Sequence, residues 1–308
     1  MSERESGEPW RIGVGRVHAI EPWAIMGILN TTPDSFSDGG RLATVDDAVR
    51  AGCAMVEAGA TLIDVGAEST RPGAERVDAQ EQCRRAIPVI RDLAAALADR
   101  SDVAISIDTT LAAVAEAALD AGAAIVNDVS AGEEDPDLFR LVAERSCGVV
   151  LMHRVVAPDR DRYSTQYAAP LVDGDVVRAV GDALVRRIDA AIGRGVDASA
   201  IAIDPGLGFG KTVEQNWALV ARSGELASLG RPLLVGASRK SFIGHATGVS
   251  EPAGRTVGSA VAAAIAWAGG ARIVRTHDVP STRDALRVAA AALREQIVMR
   301  NDDRNDLQ

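Results

Sequence analysis

Short, continuous apolar runs recur along the chain at 24–29, 61–65, 103–107, 124–126, 148–152, 201–203, 233–235 and 272–274. They lack the alternation of half-exposed strands, as expected of parallel strands buried on both faces. Alanine-rich segments with helix signals lie between them. Thr44, with Asp47 three residues later, precedes a face of Val45, Ala48, Val49, Cys53 and Val56, which predicts a capped helix. Asp78 and Glu81 open a second in the same way, and Pro88 inside it predicts a kink or local break. Thr109 or Thr110 can cap a third that runs to Gly122, and Pro136 stands where a fourth would begin. Segments 171–192, 213–229, 252–268 and 281–296 supply the remaining helices, the sixth and seventh interrupted. Eight strands alternating with eight helices predict an α/β protein, a single (β/α)8 TIM barrel.

No proline-rich or glycine-serine linker and no shift in composition divides the chain. The expected organisation is a short N-terminal extension over 1–22, a barrel over 23–298 and a disordered tail over 299–308. In the extension, Val14, Val17 and Ile20 predict a strand or hairpin closing the bottom of the barrel.

Composition narrows the class. With 47% hydrophobic and 25% charged residues among 308, the chain is neither disordered nor fibrous. Its apolar runs fall short of the ~18–20 residues that span a membrane. MSERESGEPW lacks the apolar stretch of a secretory signal, so a cytoplasmic protein without a membrane partner is expected. Cys53, Cys83 and Cys147 have no CxxC spacing and read as buried thiols, not as disulfides or a zinc site. A net charge of −10 gives no overall footprint for nucleic acid, so an anionic ligand must be caught locally. Of the 33 basic residues only Lys211 and Lys240 are lysine.

In such barrels the chemistry gathers at the carboxyl ends of the strands. Those positions carry Asn30, Asp64 with Glu68, Asp108, Asn127, His153, Asp204, Ser238, and Arg275 with His277. Taken singly, Asp64 and His153 read as caps of helices or turns; the set as a whole reads as a site. Two long loops, NTTPDSFSDGG (30–40) and GAESTRPGAERVD (66–78), have the size of lids and are expected to move without ligand. Phe36, in the first, is either packed beneath the loop or offered to a ligand. DPGLGFGKT (204–212) is rich in glycine but does not have the spacing of a P-loop. It reads as a tight turn bringing Asp204 and Phe209 against a flat polar ring, because a carboxylate can accept two parallel hydrogen bonds from an amino-pyrimidine edge. GASRKSFIG (236–244) and RTHD (275–278) follow the two strands where barrels often bind phosphate. Arg239 reads as a solvated charge and Lys240 as a ligand. Lys211 is open between a structural and a binding role.

MGILNTTPDSFSDGG, GAESTRPGA, SIDT, VNDVSA, LMH, DPGLGFGKT, GASRKSFIG and VRTHDV, in this order over 24–285, resemble the signature segments of the dihydropteroate synthase family. Mild departures are Thr31 and Thr276 where valine is usual, and Ala67 and Ala131 where glycine is common. The resemblance implies condensation of 6-hydroxymethyl-7,8-dihydropterin diphosphate with 4-aminobenzoate, giving 7,8-dihydropteroate and diphosphate in folate synthesis. It implies a sulfonamide target and a homodimer packed through outer helices.

By position, the resemblance places Asp108, Asn127, Asp204 and Lys240 on the pterin, with Met152 in the pocket wall. It gives Asn30 to a magnesium ion (Mg2+), and Arg275 and His277 to diphosphate oxygens. Thr70, Arg71 and Pro72 complete the 4-aminobenzoate and anion sites. Phe36, Phe209 and Ser241 shape the 4-aminobenzoate pocket, and Asp38 lies near the reacting carbon. Two rival readings share the pterin pocket: a pterin-dependent methyltransferase domain and a pterin-binding paralogue without activity. The intact STRPG and SRK segments favour the synthase over both.

Overall fold

A computed structural model describes residues 10–31 and 44–305, with side chains as far as Arg294. An antiparallel hairpin comes first, β1 (Trp10–Gly13) and β2 (Arg16–His18), with Trp10 opposite His18. Eight parallel strands follow: β3 (Ala24–Asn30), β4 (Leu62–Gly66), β5 (Ala104–Asp108), β6 (Ile125–Asp128), β7 (Gly148–Met152), β8 (Ile201–Asp204), β9 (Leu234–Val235) and β10 (Ile273–Thr276). From β3 to β8 each strand pairs with the next, and β10 lies between β3 and β9. Only the β8–β9 seam is thin. It is held by the bridge between Ile203 and Leu233 and by Ile203 N donating to Pro232 O at 2.9 Å. The result is a nearly closed TIM barrel.

The helices follow their caps. Thr44 and Asp47 form a reciprocal capping box on α1 (Val45–Glu57), and the Asp78 side chain accepts from Glu81 N at the start of α2 (Ala79–Ala96). Pro88 does not interrupt α2: buried Gln82, Ala86, Val89, Ile90 and Leu93 anchor the helix on both sides of it. α3 (Ala112–Asp120) is preceded by Leu111, whose side chain cannot accept, so neither Thr109 nor Thr110 is its cap; Ala112 N donates to Asp135 Oδ2 at 2.8 Å instead. α4 (Leu138–Arg145) and α5 (Val176–Gly193) precede two pieces, α6 (Val213–Ala221) and α7 (Ser223–Ala227), which meet at Arg222. α8 (Ser241–Thr247) follows β9, and a 3-10 turn (Pro252–Arg255) interrupts the chain before α9 (Thr256–Ala268). α10 (Val279–Asn305) continues past residue 298, where a disordered tail was expected, since no proline or glycine stops it.

The hairpin closes the barrel bottom, but not through the valines. Val14 and Val17 are exposed, whereas Trp10, Ile12 and Ile20 join Ala24, Met26, Leu62, Ala104, Val150, Leu234 and Ile273 in one apolar cluster. The Trp10 indole satisfies its N–H on Ala200 O at 2.8 Å. Of the three thiols, Cys147 is buried and Cys53 and Cys83 are half-buried. Among the described residues no helix is long and apolar enough to cross a membrane.

Candidate active site

Parallel register lines up the upper ends of four strands. Asn30 pairs with Gly66, Gly66 with Asp108, and Asp108 with Asn127. One layer lower, Asp64 lies fully buried inside β4. Its Oδ2 accepts from Arg275 Nε at 2.7 Å and from Asn127 Nδ2 at 2.9 Å, and Arg275 Nη2 donates to Asp108 Oδ2 at 2.7 Å. Asp64 is therefore not a cap. It is an interior carboxylate whose signal was available in the sequence, as a charge within the buried run LIDVG. Burial pushes the Asp108 carboxyl above its ordinary range; Arg275 opposes that shift, and the Asp64, Glu68 and Asp128 carboxylates add to it.

The glycine-rich turn after β8 lies against His153. Gly206 has φ of 66°, and a Cβ there would stand 1.8 Å from His153 O, so only glycine fits. Lys211, fully buried, donates Nζ to Gly206 O (2.8 Å), Phe209 O (3.0 Å) and His153 O (3.3 Å). Three acceptors match the three protons of an ammonium. The Asp204 and Asp161 carboxylates favour that form, against burial that draws the pKa down to about 7. The choice left open for Lys211 falls to structure: it pins the turn. Lys240 does the opposite, carrying its ammonium 4.2 Å above the Phe209 ring. That ring packs with Val129 and Met152, and Asp204, tied to Gly206 N at 2.7 Å, is buried nearby. Burial raises Asp204, while Lys240, Arg275 and Lys211 pull it back. The His153 ring is not a cap either. Burial and Lys211 hold its pKa near 3, and its backbone oxygen serves the turn.

An open cavity of about 190 Å³ joins these groups to the loops. Asn30, Thr70, Arg71, Pro72, Asp108, Lys240, Ser241, Arg275 and His277 line it; Asn127, Met152, Asp204 and Phe209 are buried behind that wall. Phe36 and Asp38 lie outside the described residues. Ser238 Oγ stands 3.0 Å from His277 Nδ1 and accepts from His277 N at 3.2 Å. Burial, then Arg239, Arg275, Arg71 and Lys240, hold His277 well below its ordinary pKa, so the ring is neutral amid cations. Arg239 is half-buried in that wall, not a solvated charge: it has φ of 60°, and its backbone N donates to Ser259 Oγ at 2.9 Å. Arg255 and Tyr163 also line the cavity, and no sequence motif marked them. Arg255 braces the segment before it, donating to Arg239 O at 2.9 Å and Val249 O at 3.0 Å.

Loop 66–78 is tied down from several sides. Glu68 accepts from Val77 N at 2.8 Å and pairs with Arg76 at 2.9 Å, Arg76 pairs with Glu134 at 2.6 Å, and Gly73 N donates to Pro158 O at 2.8 Å. Among the described residues no three His, Cys, Asp or Glu side chains gather to hold a metal alone. A magnesium ion needs less, since it binds through one or two protein oxygens plus substrate phosphates and water. A Cβ at Gly66 would come within 3.4 Å of Asn30 Oδ1 and 3.9 Å of Asp108 Oδ2. Asn30, in the cavity lining, offers such an oxygen in its amide Oδ1, and Asp108 Oδ2 is already held by Arg275, so a donor set of one protein oxygen plus substrate phosphates fits such an ion.

A family model described as pterin binding enzyme matches residues 26–277. The dihydropteroate synthase of Mycobacterium leprae (strain TN) is 47% identical over 281 residues, covering 89% of this chain and 95% of the relative. That of Escherichia coli (strain K12) is 43% identical over 269 residues, covering 87% and 91%. The structure of Xanthomonas albilineans dihydropteroate synthase with 4-aminobenzoic acid matches with a TM-score of 0.82 at 43% identity, over 93% of this chain and 98% of that one. The same bacterium's enzyme in complex with 7,8-dihydropteroate matches with a TM-score of 0.78 at 40% identity, over 92% and 99%. With relatives covered almost end to end and the matched segment running from β3 to His277, this chain belongs to the dihydropteroate synthase family of pterin-binding enzymes.

Proposed function

We propose that this chain condenses 6-hydroxymethyl-7,8-dihydropterin diphosphate with 4-aminobenzoate, releasing 7,8-dihydropteroate and diphosphate for folate biosynthesis. The observation that carries the reading is one cavity lined by the buried Asp108 carboxylate and by Arg71, Lys240 and Arg275 with a neutral His277. Asp108, Asn127, Asp204 and Lys240 hold the pterin ring, with Met152 behind it. The Lys240 ammonium above Phe209 is a compact point charge on a flexible stem that can share the ring edge with Asp204, which the broad planar fork of arginine does not reproduce.

Arg71, Arg275 and His277 take the diphosphate. The Ser238 hydroxyl already accepts from His277 N; when it donates to Nδ1, the proton of the neutral ring sits on Nε2, a donor for a phosphate oxygen. Asn30 would hold magnesium, which when bound neutralises charge on the leaving diphosphate. The methylene carbon–oxygen bond breaks with its electron pair going to diphosphate, in an SN1-like step, and the dihydropterin ring delocalises the positive charge left behind. The neutral arylamine, seated by Thr70, Pro72, Ser241 and Phe209 and, by the family resemblance, Phe36, forms the new carbon–nitrogen bond and sheds a proton, for which the same resemblance offers Asp38 as the acceptor. No enzyme nucleophile is required, and positioning supplies much of the acceleration.

A cytoplasmic homodimer completes the proposal. Val257, Val261 and Ile265, at 76%, 51% and 48% exposure, form one apolar stripe on α9 at four-residue spacing, and Val288 is 70% exposed on the adjoining α10. The test of function is diphosphate release that requires the pterin diphosphate, 4-aminobenzoate and magnesium together, with a sulfonamide competing against 4-aminobenzoate. Pterin binding without release would instead identify a silent paralogue, and methyl transfer to a corrinoid a methyltransferase.

A further inference from the structure

Asp64 has none of the roles assigned above, yet two of them converge on it. It is fully buried on β4, and its neighbours in the sheet register are Ile28 and Ser106. Its two hydrogen-bond partners come from farther away: Asn127 stands on β6 and Arg275 on β10, and both donate to the same oxygen, Oδ2. Oδ1 has no hydrogen-bond partner among the described residues, and neither has Ser106 Oγ beside it. Arg275 and Asn127 are thus what compensates this carboxylate. A buried charge left half-satisfied is destabilising in a way that an apolar side chain would avoid. Interior positions nearer the bottom of the same strands use Leu62 and Ala104. Packing therefore does not explain a carboxylate at 64; what it holds does.

We infer that Asp64 is a positioning residue that couples the pterin subsite to the diphosphate subsite, one carboxylate oxygen aiming both the Asn127 amide and the Arg275 guanidinium. The naming of the two subsites rests on the condensation reading above. With its NH2 group turned toward Asp64, Asn127 keeps its carbonyl oxygen free of that carboxylate and available to accept from a pterin N–H. Arg275, held at Nε by Asp64 and at Nη2 by Asp108, has two of its three nitrogens fixed, so its plane has one orientation when diphosphate arrives. Asp108 alone could carry such a coupling, which makes the isosteric change at 64 the informative one.

Three constants test it: the dissociation constants for the probe 6-hydroxymethylpterin and for inorganic diphosphate with magnesium, both by direct binding, and the Michaelis constant for the arylamine substrate. Asp64→Asn weakens the first two at least tenfold and leaves the third within twofold. Any other pattern overturns the proposal, whether all three weaken together, one subsite weakens alone, or nothing changes. Asn127→Ala keeps every charge and decides the matter even if Asp64→Asn does not fold. It shifts the dissociation constant for inorganic diphosphate at least threefold, although Asn127 is placed on no diphosphate oxygen. An unchanged constant there also overturns the coupling. The two dissociation constants need no turnover: a chain that binds both probes and releases no diphosphate fails the condensation reading and leaves the role of Asp64 standing.

Discussion

The buried groups at the two ends of this barrel are chemically opposite. At the bottom, Trp10, Ile12 and Ile20 seal an interior of Met26, Leu62, Leu234 and Ile273, and the one polar atom of Trp10 finds a carbonyl. At the top, Asp64, Asp108, Asn127, Asp204 and Lys211 are buried to the same degree and are joined by ionic and hydrogen-bonded contacts. Apolar burial stabilises by about 25 cal/mol per Å². Burying charge works against stability unless each group is paired. The difference teaches where each property resides: the bottom supplies stability, and the top gives some of it up for a preorganised polar cavity. Substitutions at the two ends should therefore separate folding from catalysis.

The largest separation is expected at the bottom. Trp10→Ala removes a fully buried indole and should cost about 3–5 kcal/mol in denaturant unfolding. Both KM values should stay within twofold at a temperature where the variant is folded; an equal loss of kcat/KM would break the comparison. Lys240→Arg is the mirror case. A planar fork does not present the single compact ammonium that sits over Phe209, so kcat/KM should fall about 100-fold, equivalent to ~2.7 kcal/mol of transition-state stabilisation, with the unfolding midpoint nearly unchanged. Near-normal turnover in that variant would remove Lys240 from the site.

Smaller effects sharpen the contrast. Burial, then Arg16, hold the His18 pKa at about 4 against an ordinary 6.5, and its Nε2 lies 3.2 Å from Thr61 Oγ1. The unfolded chain takes up that proton first, so the stability present above pH 6.5 is lost as pH falls toward 4. The loss should reach about 1 kcal/mol between pH 7 and 5.5. It should be absent from the stability difference measured in His18→Leu, and an unchanged slope would contradict the burial argument. Least of all, Ala131 at the top has φ of 51°, and its carbonyl is held by Arg187 Nε at 2.7 Å. Ala131→Gly should relieve that backbone and raise stability by about 1 kcal/mol, measured by thermal unfolding, with kinetics unaltered.

The legibility of these two ends in the sequence differs for a physical reason. Strand and helix periodicity is local, so all eight barrel strands and the caps at Thr44 and Asp78 could be read residue by residue. The hairpin was legible as an element, but Val14 and Val17 pointed to the wrong face because a three-residue strand carries too little pattern to fix which side is buried. At the top, the cavity-lining residues at the strand ends follow from the rule that strand ends carry chemistry and from the family motifs, whereas Tyr163 and Arg255 do not. Nor do the contacts among the site residues. The pairing of Asp64 with Arg275 joins positions 211 residues apart, and Lys211 serves carbonyl oxygens, which every residue has and no motif displays. Arg239 looked solvated because nothing local shows that its backbone turns left-handed into the wall.

One measurement tests the central claim most directly: 7,8-dihydropteroate formed from labelled 4-aminobenzoate, counted against diphosphate released, for the unaltered chain and for Lys240→Arg. The account predicts one product per diphosphate in the unaltered chain, none when either substrate is omitted, and a rate lower by about 100-fold in the variant. Diphosphate release without product, or equal rates in the two proteins, would contradict it.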